Sequence, residues 1–554
     1  MDGTLETLGE ELWERWMADN PMMATILGDH RFDERFDDPS LAAEDERIAS
    51  RRAIAARARS VDPAGLDAED RVSRDVLSFI ADGEADELEM RAADFFVNPA
   101  TGIQATLPTA LSQVTLTEPD HAEALIERYA GIGAALGVLA ERLGDGAARG
   151  RTTADLLVDA TIAQIDAYLA SDLATDPYLA IRPPSSFSDA ESTAWRDRLS
   201  DAVVAHVRPG FSTYRDTLVD QVRPVARSVD RPGLSWLPGG EEVYRRLIRL
   251  HTSLDMSPEE VHRIGLEQVD RLAEEYRSLG PQVVGTDDVG EVFERLRATE
   301  LHFETGAEVV AAAEAALGRA KERMGDWFGR LPLADCTIAE VGSGPTAFYY
   351  PPSGDGTRPG SFFVNTSDPR TWGRYEIMAT AFHEGIPGHH LQLAISQELA
   401  GVPAYRRYAP IAAYAEGWGL YAERLADEMG LYESPLERLG MCSADSMRAT
   451  RLVVDTGLHA HGWSRQRAID YMAANTPMQP GLIANEVDRY IGWPGQAVSY
   501  MVGRLEIQRL RAEAEAGLGH RFDIKGFHDV VLGSGLVPLG TLAWMIETWV
   551  EAGR

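Results

Sequence analysis

A chain of 554 residues is too long for one hydrophobic core, since cores usually stop growing near ~250–300 residues. With 44% hydrophobic and 25% charged residues, it is neither disordered nor collagen-like. Its net charge of −34 excludes general nucleic-acid or anionic-membrane binding, which need a basic footprint, and its two cysteines cannot build a disulfide framework.

The opening residues show no basic region followed by an apolar core, so no signal peptide is expected and the protein is expected to be cytoplasmic. Apolar stripes of helical period run between residues 120 and 170. Loop chemistry then interrupts at Arg182-Pro183-Pro184 and again from Arg223 to the Gly239-Gly240 pair. The second break is the expected boundary between an N-terminal helical lobe (1–235) and a second lobe (236–554). Ser257-Pro258 opens a helix whose stripe is Val261, Ile264, Val269, Leu272 and Tyr276. Between about 332 and 370 the pattern turns β-like: Ala347–Tyr350 and Ser361–Asn365 read as a hairpin around a Pro/Gly-rich turn at 351–356. The second strand could hold a peptide by edge pairing, or be a structural hairpin only. Near the end, Val530–Ile546 is uncharged except at its limits of composition, but it is too short and too Gly/Pro-interrupted to span a membrane.

The chemistry lies between these last two regions. Five of the thirteen histidines fall between residues 383 and 461, three of them in His383-Glu384-Gly385-Ile386-Pro387-Gly388-His389-His390. Glu384 is the only carboxylate between Glu376 and Glu398, and Glu416 the only charge between Arg407 and Glu423. Both stretches read as buried helices, and a buried lone carboxylate needs a partner or a metal. Two histidines at i and i+4 with a glutamate after the first would be a zinc-peptidase signature. Here His389 is at i+6 and His390 at i+7. On a straight helix His389 points about 240° away, and His390 lies about 10.5 Å along the axis. Pro387 cannot supply an N–H to His383, so the helix is expected to bulge there and to restore His389 to the ligand position. His390 then points aside, toward substrate or supporting contacts. His383, His389 and Glu416 become the metal ligands, one zinc per chain, and Glu384 the general base.

Tyr500, in the uncharged stretch between Arg489 and Arg504, is either an oxyanion donor or a core tyrosine. Arg448, Arg451, Asp455 and His459 share one helix face. They line the cleft, with His459 on substrate, or form a solvated face with an Arg451–Asp455 pair. Arg504 joins this set of candidate substrate contacts.

The sequences at 383–392, Glu-Gly-Trp-Gly-Leu-Tyr-Ala-Glu at 416–423, Arg-Leu-Val-Val-Asp-Thr-Gly-Leu-His at 451–459 and Trp-Pro-Gly-Gln-Ala-Val-Ser-Tyr at 493–500 resemble a bacterial family known as domain of unknown function 885, as does 527–539. That family is similar to helical zinc peptidases of the thimet oligopeptidase, angiotensin-converting enzyme and carboxypeptidase Taq type. The resemblance implies a mainly α, two-lobed fold with a deep central cleft and a small β element beside the metal helix. It also implies Glu416 as the downstream ligand and Glu423 as an acidic group orienting the site. The expected function is zinc-dependent hydrolysis of short peptides; the alternatives are a hydrolase of non-peptide amides or esters, and an inactive helical binding protein. Oligomeric state is left open.

Overall fold

The computed structural model describes residues 3–352, 358–409 and 411–554. Helices α1 (Leu41–Ser60) and α2 (Ala68–Glu89) are each opened by a side chain that takes up an otherwise unpaired N–H: Ser40 accepts from Ala43 and Asp67 from Asp70. The periodic stretch after residue 120 forms α3 (Pro119–Ala148) and α4 (Asp155–Ala170). Tyr129, Ile132, Leu136, Val158 and Ile165 from this pair bury against Trp195, Val207 and Phe211, a core confined to residues 22–222.

The Pro/Gly-rich stretch holds only short 3-10 turns before α5 (Gly240–Thr252) and α6 (Pro258–Val283). Ser257 caps α6 by accepting the Glu260 N–H. A second core draws on both sides of residue 235. Leu8, Leu12, Ile54, Val76 and Leu77 bury in one cluster with Phe382, Trp418, Leu425, Ile507 and Leu542. Each such side chain is worth about 1.5–3 kcal/mol of burial, so α1 and α2 brace the helices that carry the site.

Helix α7 (Gly306–Trp327) leads into the sheet of β1 (Cys336–Val341), β2 (Ala347–Tyr350) and β3 (Gly360–Asn365). β2 and β3 pair antiparallel, Ala347 opposite Val364 and Tyr349 opposite Phe362, as the hairpin requires. Residues 353–356 of the expected turn lie outside the described residues. The strand β1, not foreseen, runs parallel to β3 on its other side, from Cys336 opposite Gly360 to Val341 opposite Asn365. β3 is therefore the middle strand. Both its edges are taken, which corrects the expectation that Ser361–Asn365 offers an edge to a peptide.

The remaining helices are α8 (Ile377–Glu384), α9 (His389–Glu398), α10 (Ala412–Glu428), α11 (Pro435–His459), α12 (Pro480–Gly492), α13 (Ser499–Leu518), α14 (Ile524–Leu532) and α15 (Leu539–Gly553). α10 packs along α13, and α6 along α11. The apolar run 530–546 is split between α14 and α15. No helix among the described residues is long and apolar enough to cross a membrane.

Candidate metal centre

The helix expected to bulge at Pro387 instead breaks in two. α8 stops at Glu384, and Gly385 turns the chain out of helical geometry. Pro387, after a cis peptide bond, has no N–H with which to continue. α9 starts afresh at His389. The turn brings Gly388 so close to α8 that a Cβ there would stand 1.9 Å from the His383 carbonyl oxygen. Only glycine fits that approach, and the approach is what carries His389 back beside His383.

The two imidazole rings lie 4.6 Å apart and nearly perpendicular. Glu416, from the facing helix α10, places Oε2 3.5 Å from His383 Nε2 and 3.3 Å from His389 Nε2. Ligand atoms of one tetrahedral zinc lie about 3.3 Å from each other, so these three donors could hold one ion with small adjustments. Behind them, His383 Nδ1 donates to Glu423 Oε1 at 2.8 Å. That bond fixes the tautomer and leaves the Nε2 lone pair facing Glu416. Charge balance points the same way. Burial disfavours a charged His383, yet its bonds to Glu416 and Glu423 win and raise it to about 9. Burial likewise opposes the Glu416 carboxylate, while His383 and His389 hold it well below the usual range. The cluster is built to surround positive charge.

Two further groups stand at the cluster. Glu384 is half-buried, next in sequence to a ligand, and forms no hydrogen bond or ion pair within the described residues. The Tyr500 ring stacks at 6.3 Å on that of His383. Burial and the Glu416 charge push its hydroxyl above the ordinary value, so it stays a donor. The approach of α10 to α13 depends on glycine: a Cβ on Gly503 would stand 1.9 Å from the Ala413 carbonyl, and one on Gly417 2.5 Å from Gly503.

Other expected site residues are drawn elsewhere. His390 uses both ring nitrogens, Nε2 donating to the Ala334 carbonyl at 3.0 Å and Nδ1 accepting from the Tyr349 hydroxyl at 2.8 Å. It ties α9 to the sheet and has no lone pair left for metal or substrate. His459, expected on substrate, is fully engaged with backbone: Nδ1 accepts from Leu234 and Nε2 donates to Tyr490. Asp455 accepts from Tyr244 and from the Gly495 N–H, and burial lifts it to about 7. It does not pair with Arg451, whose carboxylate partner is Glu486 at 2.8 Å. Arg451 nonetheless reaches the site, its guanidinium 4.7 Å from the centre of the Tyr500 ring. Arg504 is buried on Asp445 at 2.6 Å, inside a network with Arg424 and Glu275, and is structural.

The sequence reading did not foresee Tyr349, nor the approach of Arg448 to within 3.7 Å of Glu423. A second grouping, His30, Asp33 and His121, also brings donor atoms together. Its imidazoles stack in parallel at 3.8 Å, so their in-plane lone pairs run side by side instead of converging, and both Asp33 oxygens are already bonded.

The fold and site define a helical protein with a buried two-histidine, one-glutamate cluster beside a small mixed sheet. The chain belongs to the family described as bacterial protein of unknown function (DUF885), whose model matches residues 21–546. No curated protein matches it. Among solved structures it is similar to "the putative lipoprotein from Colwellia psychrerythraea", at 25% identity and a TM-score of 0.90 over 99% of each chain. It is also similar to "a putative lipoprotein of unknown function from Shewanella oneidensis", at 18% identity and 0.78 over 98% of this chain and 100% of that one. The match to "a putative oligoendopeptidase F from Bacillus anthracis str. Ames", 14% identical with a TM-score of 0.32 over 94% and 97% of the two chains, is too low to bear on function.

Proposed function

We propose that the chain is a zinc-dependent hydrolase of short peptides or peptide-like amides, with one ion per chain held by His383, His389 and Glu416. The observation that carries this reading is the convergence of two imidazole Nε2 atoms on one carboxylate oxygen, at 3.5 and 3.3 Å, inside a buried site. Zinc bound there would polarise the substrate carbonyl and make water acidic enough to attack near neutral pH. Glu384 takes the proton from the attacking water and passes it to the leaving amine. The water oxygen joins the carbonyl carbon, the C–N bond breaks, and an amine and a carboxylate result. Tyr500 donates a hydrogen bond to the carbonyl oxygen as it gains charge. Glu423 keeps the His383 ring in place.

Metal content by mass spectrometry, together with a peptide-library digest with and without chelator, tests this. A protein that neither retains zinc nor takes it up would sink the reading. Hydrolysis confined to non-peptide amides or esters would keep the chemistry and change the substrate. A cytoplasmic site of action is part of the proposal. Two relatives are named lipoproteins, and cell fractionation decides for this chain between cytosol and envelope.

A further inference from the structure

Beside the cluster stands a group of arginines for which the hydrolase reading has no use. Arg451 donates from Nε to the Tyr490 hydroxyl at 2.9 Å and from one terminal nitrogen to Glu486 at 2.8 Å. Its other terminal nitrogen, Nη1, is buried with no partner among the described residues. Arg489 shares the same Glu486 carboxylate at 3.1 Å and donates to Gln496 at 2.8 Å. Arg448 donates to the Ala444 carbonyl at 3.3 Å, stands 3.7 Å from Glu423, and has a buried Nε that is also without a partner. Glu423 is already committed to His383. Three guanidinium groups thus share essentially one carboxylate, in a protein whose overall charge is −34. Buried N–H groups without acceptors are costly, about 1–3 kcal/mol each, and more when charged.

The position of this surplus cation gives it a use. Arg451 lies 4.7 Å and Arg448 6.0 Å from the centre of the Tyr500 ring, whose own distance to the His383 ring is 6.3 Å. Successive Cα atoms in a peptide are about 3.8 Å apart. One or two residues beyond a bond at the cluster would therefore bring a chain end to the arginines. The group that complements a surplus guanidinium with spare donors is a carboxylate.

We propose that Arg451 and Arg448 recognise the free C-terminal carboxylate of the substrate, so that the site removes one or two residues from peptide C-termini. This rests on the hydrolase reading above and makes it more specific. Arginine–carboxylate recognition by charge-assisted bonds predicts that an N-blocked tripeptide acid is cleaved about ten- to a hundredfold more efficiently, in kcat/KM, than its C-terminal amide. Arg451→Met should bring that ratio close to one while sparing most of the turnover of the amide; Glu486 keeps Arg489 as its partner. Arg448→Met should lower the ratio less. A general loss of structure would reduce both substrates alike and leave the ratio unchanged. Calorimetric titration of the same acid and amide into Glu384→Gln protein reads the preference without turnover. If neither peptide is hydrolysed, the hydrolase reading fails, and carboxylate recognition stands or falls on the titration. Equal cleavage or equal binding of acid and amide by the wild-type arginines overturns the proposal, as does a preference that survives both substitutions.

Discussion

Glu423 Oε1 lies 2.8 Å from His383 Nδ1, on the opposite side of the ring from Glu416, whose oxygen is 3.5 Å from Nε2. The two glutamates are seven residues apart on α10, close to two full turns, so they share a face about 10.5 Å long. One imidazole from α8 is clasped between them. Partners of this kind set ligand tautomer and basicity, and their loss typically costs about 10–100-fold in metal affinity. Glu423→Gln is expected to weaken zinc by that factor, measured by chelator competition, while His383→Ala or Glu416→Ala abolishes binding. Equal affinity in Glu423→Gln and wild type would sink the orienting role.

His389 and His390 are neighbours with opposite fates. His389→Ala is expected to lose the metal, because its Nε2 faces Glu416 at 3.3 Å. His390→Ala is expected to keep it and to lose stability, about 1–3 kcal/mol, because it strands the Tyr349 hydroxyl and the Ala334 carbonyl. Metal analysis paired with chemical denaturation separates the two; metal loss in His390→Ala alone would reverse the ligand assignment.

Much of this site could be read in advance because its signal is scarcity. Lone charges such as Glu384 and Glu416 in long uncharged stretches announce buried carboxylates, and helical periodicity announced most helices. What failed was geometry that depends on partners far along the chain. Pro387 promised a disturbed helix, but nothing local distinguishes a bulge from the full break that Gly385 and Gly388 permit. A buried histidine with two hydrogen-bond partners looks, in sequence, like one with a free lone pair, which is why His390 and His459 were placed on substrate. Strand β1 was missed because its neighbour β3 is pairing in parallel, a relation no hairpin pattern signals. Arg451 found Glu486 thirty-five residues away instead of Asp455 one turn along.

Gly419 gives a test of how tightly His383 is held. A Cβ at this position would stand 2.7 Å from the ring's Cε1, closer than packed atoms approach. Alanine suits a helix better than glycine does, by about 1 kcal/mol, so α10 itself should not suffer. Gly419→Ala is therefore expected to keep its helical circular dichroism and lose most of its metal affinity. Unchanged affinity would mean that the ring has room to turn.

His459 makes stability depend on pH. Burial, opposed by its bond to the Tyr490 carbonyl, lowers the folded ring to about 3, whereas the unfolded chain takes up its proton near 6.5. Across that window the native state binds fewer protons. The contribution of His459 is thus complete above pH 6.5 and is lost as pH falls toward 3. His459→Gln, which does not titrate, should cost roughly 1–3 kcal/mol at pH 8 by disturbing the bonds to Leu234 and Tyr490. Its deficit against wild type should narrow at pH 5. Denaturation curves at both values measure the gap, and a constant gap would show that the ring is not held neutral.

The mechanism rests most heavily on Glu384. Glutamine has nearly the same shape but cannot take a proton from water, and loss of a positioned general base typically costs about 10²–10⁴-fold in rate. Glu384→Gln is therefore expected to bind zinc as wild type does and to lose hydrolysis by that factor. Tyr500→Phe removes one donor to the developing oxyanion and leaves the base in place, so its loss should be smaller, on the order of ten- to a thousandfold, and mainly in kcat. Reading metal content and rate on the same samples separates a chemical defect from a misfolded site, which would lose both. If Glu384→Gln retains zinc and turns peptide over at the wild-type rate, the proton goes elsewhere. Glu423 is then a poor substitute, since its Oε1 is bound to His383 and its residue is almost wholly buried; the base would have to be a group that reaches the cluster from solvent.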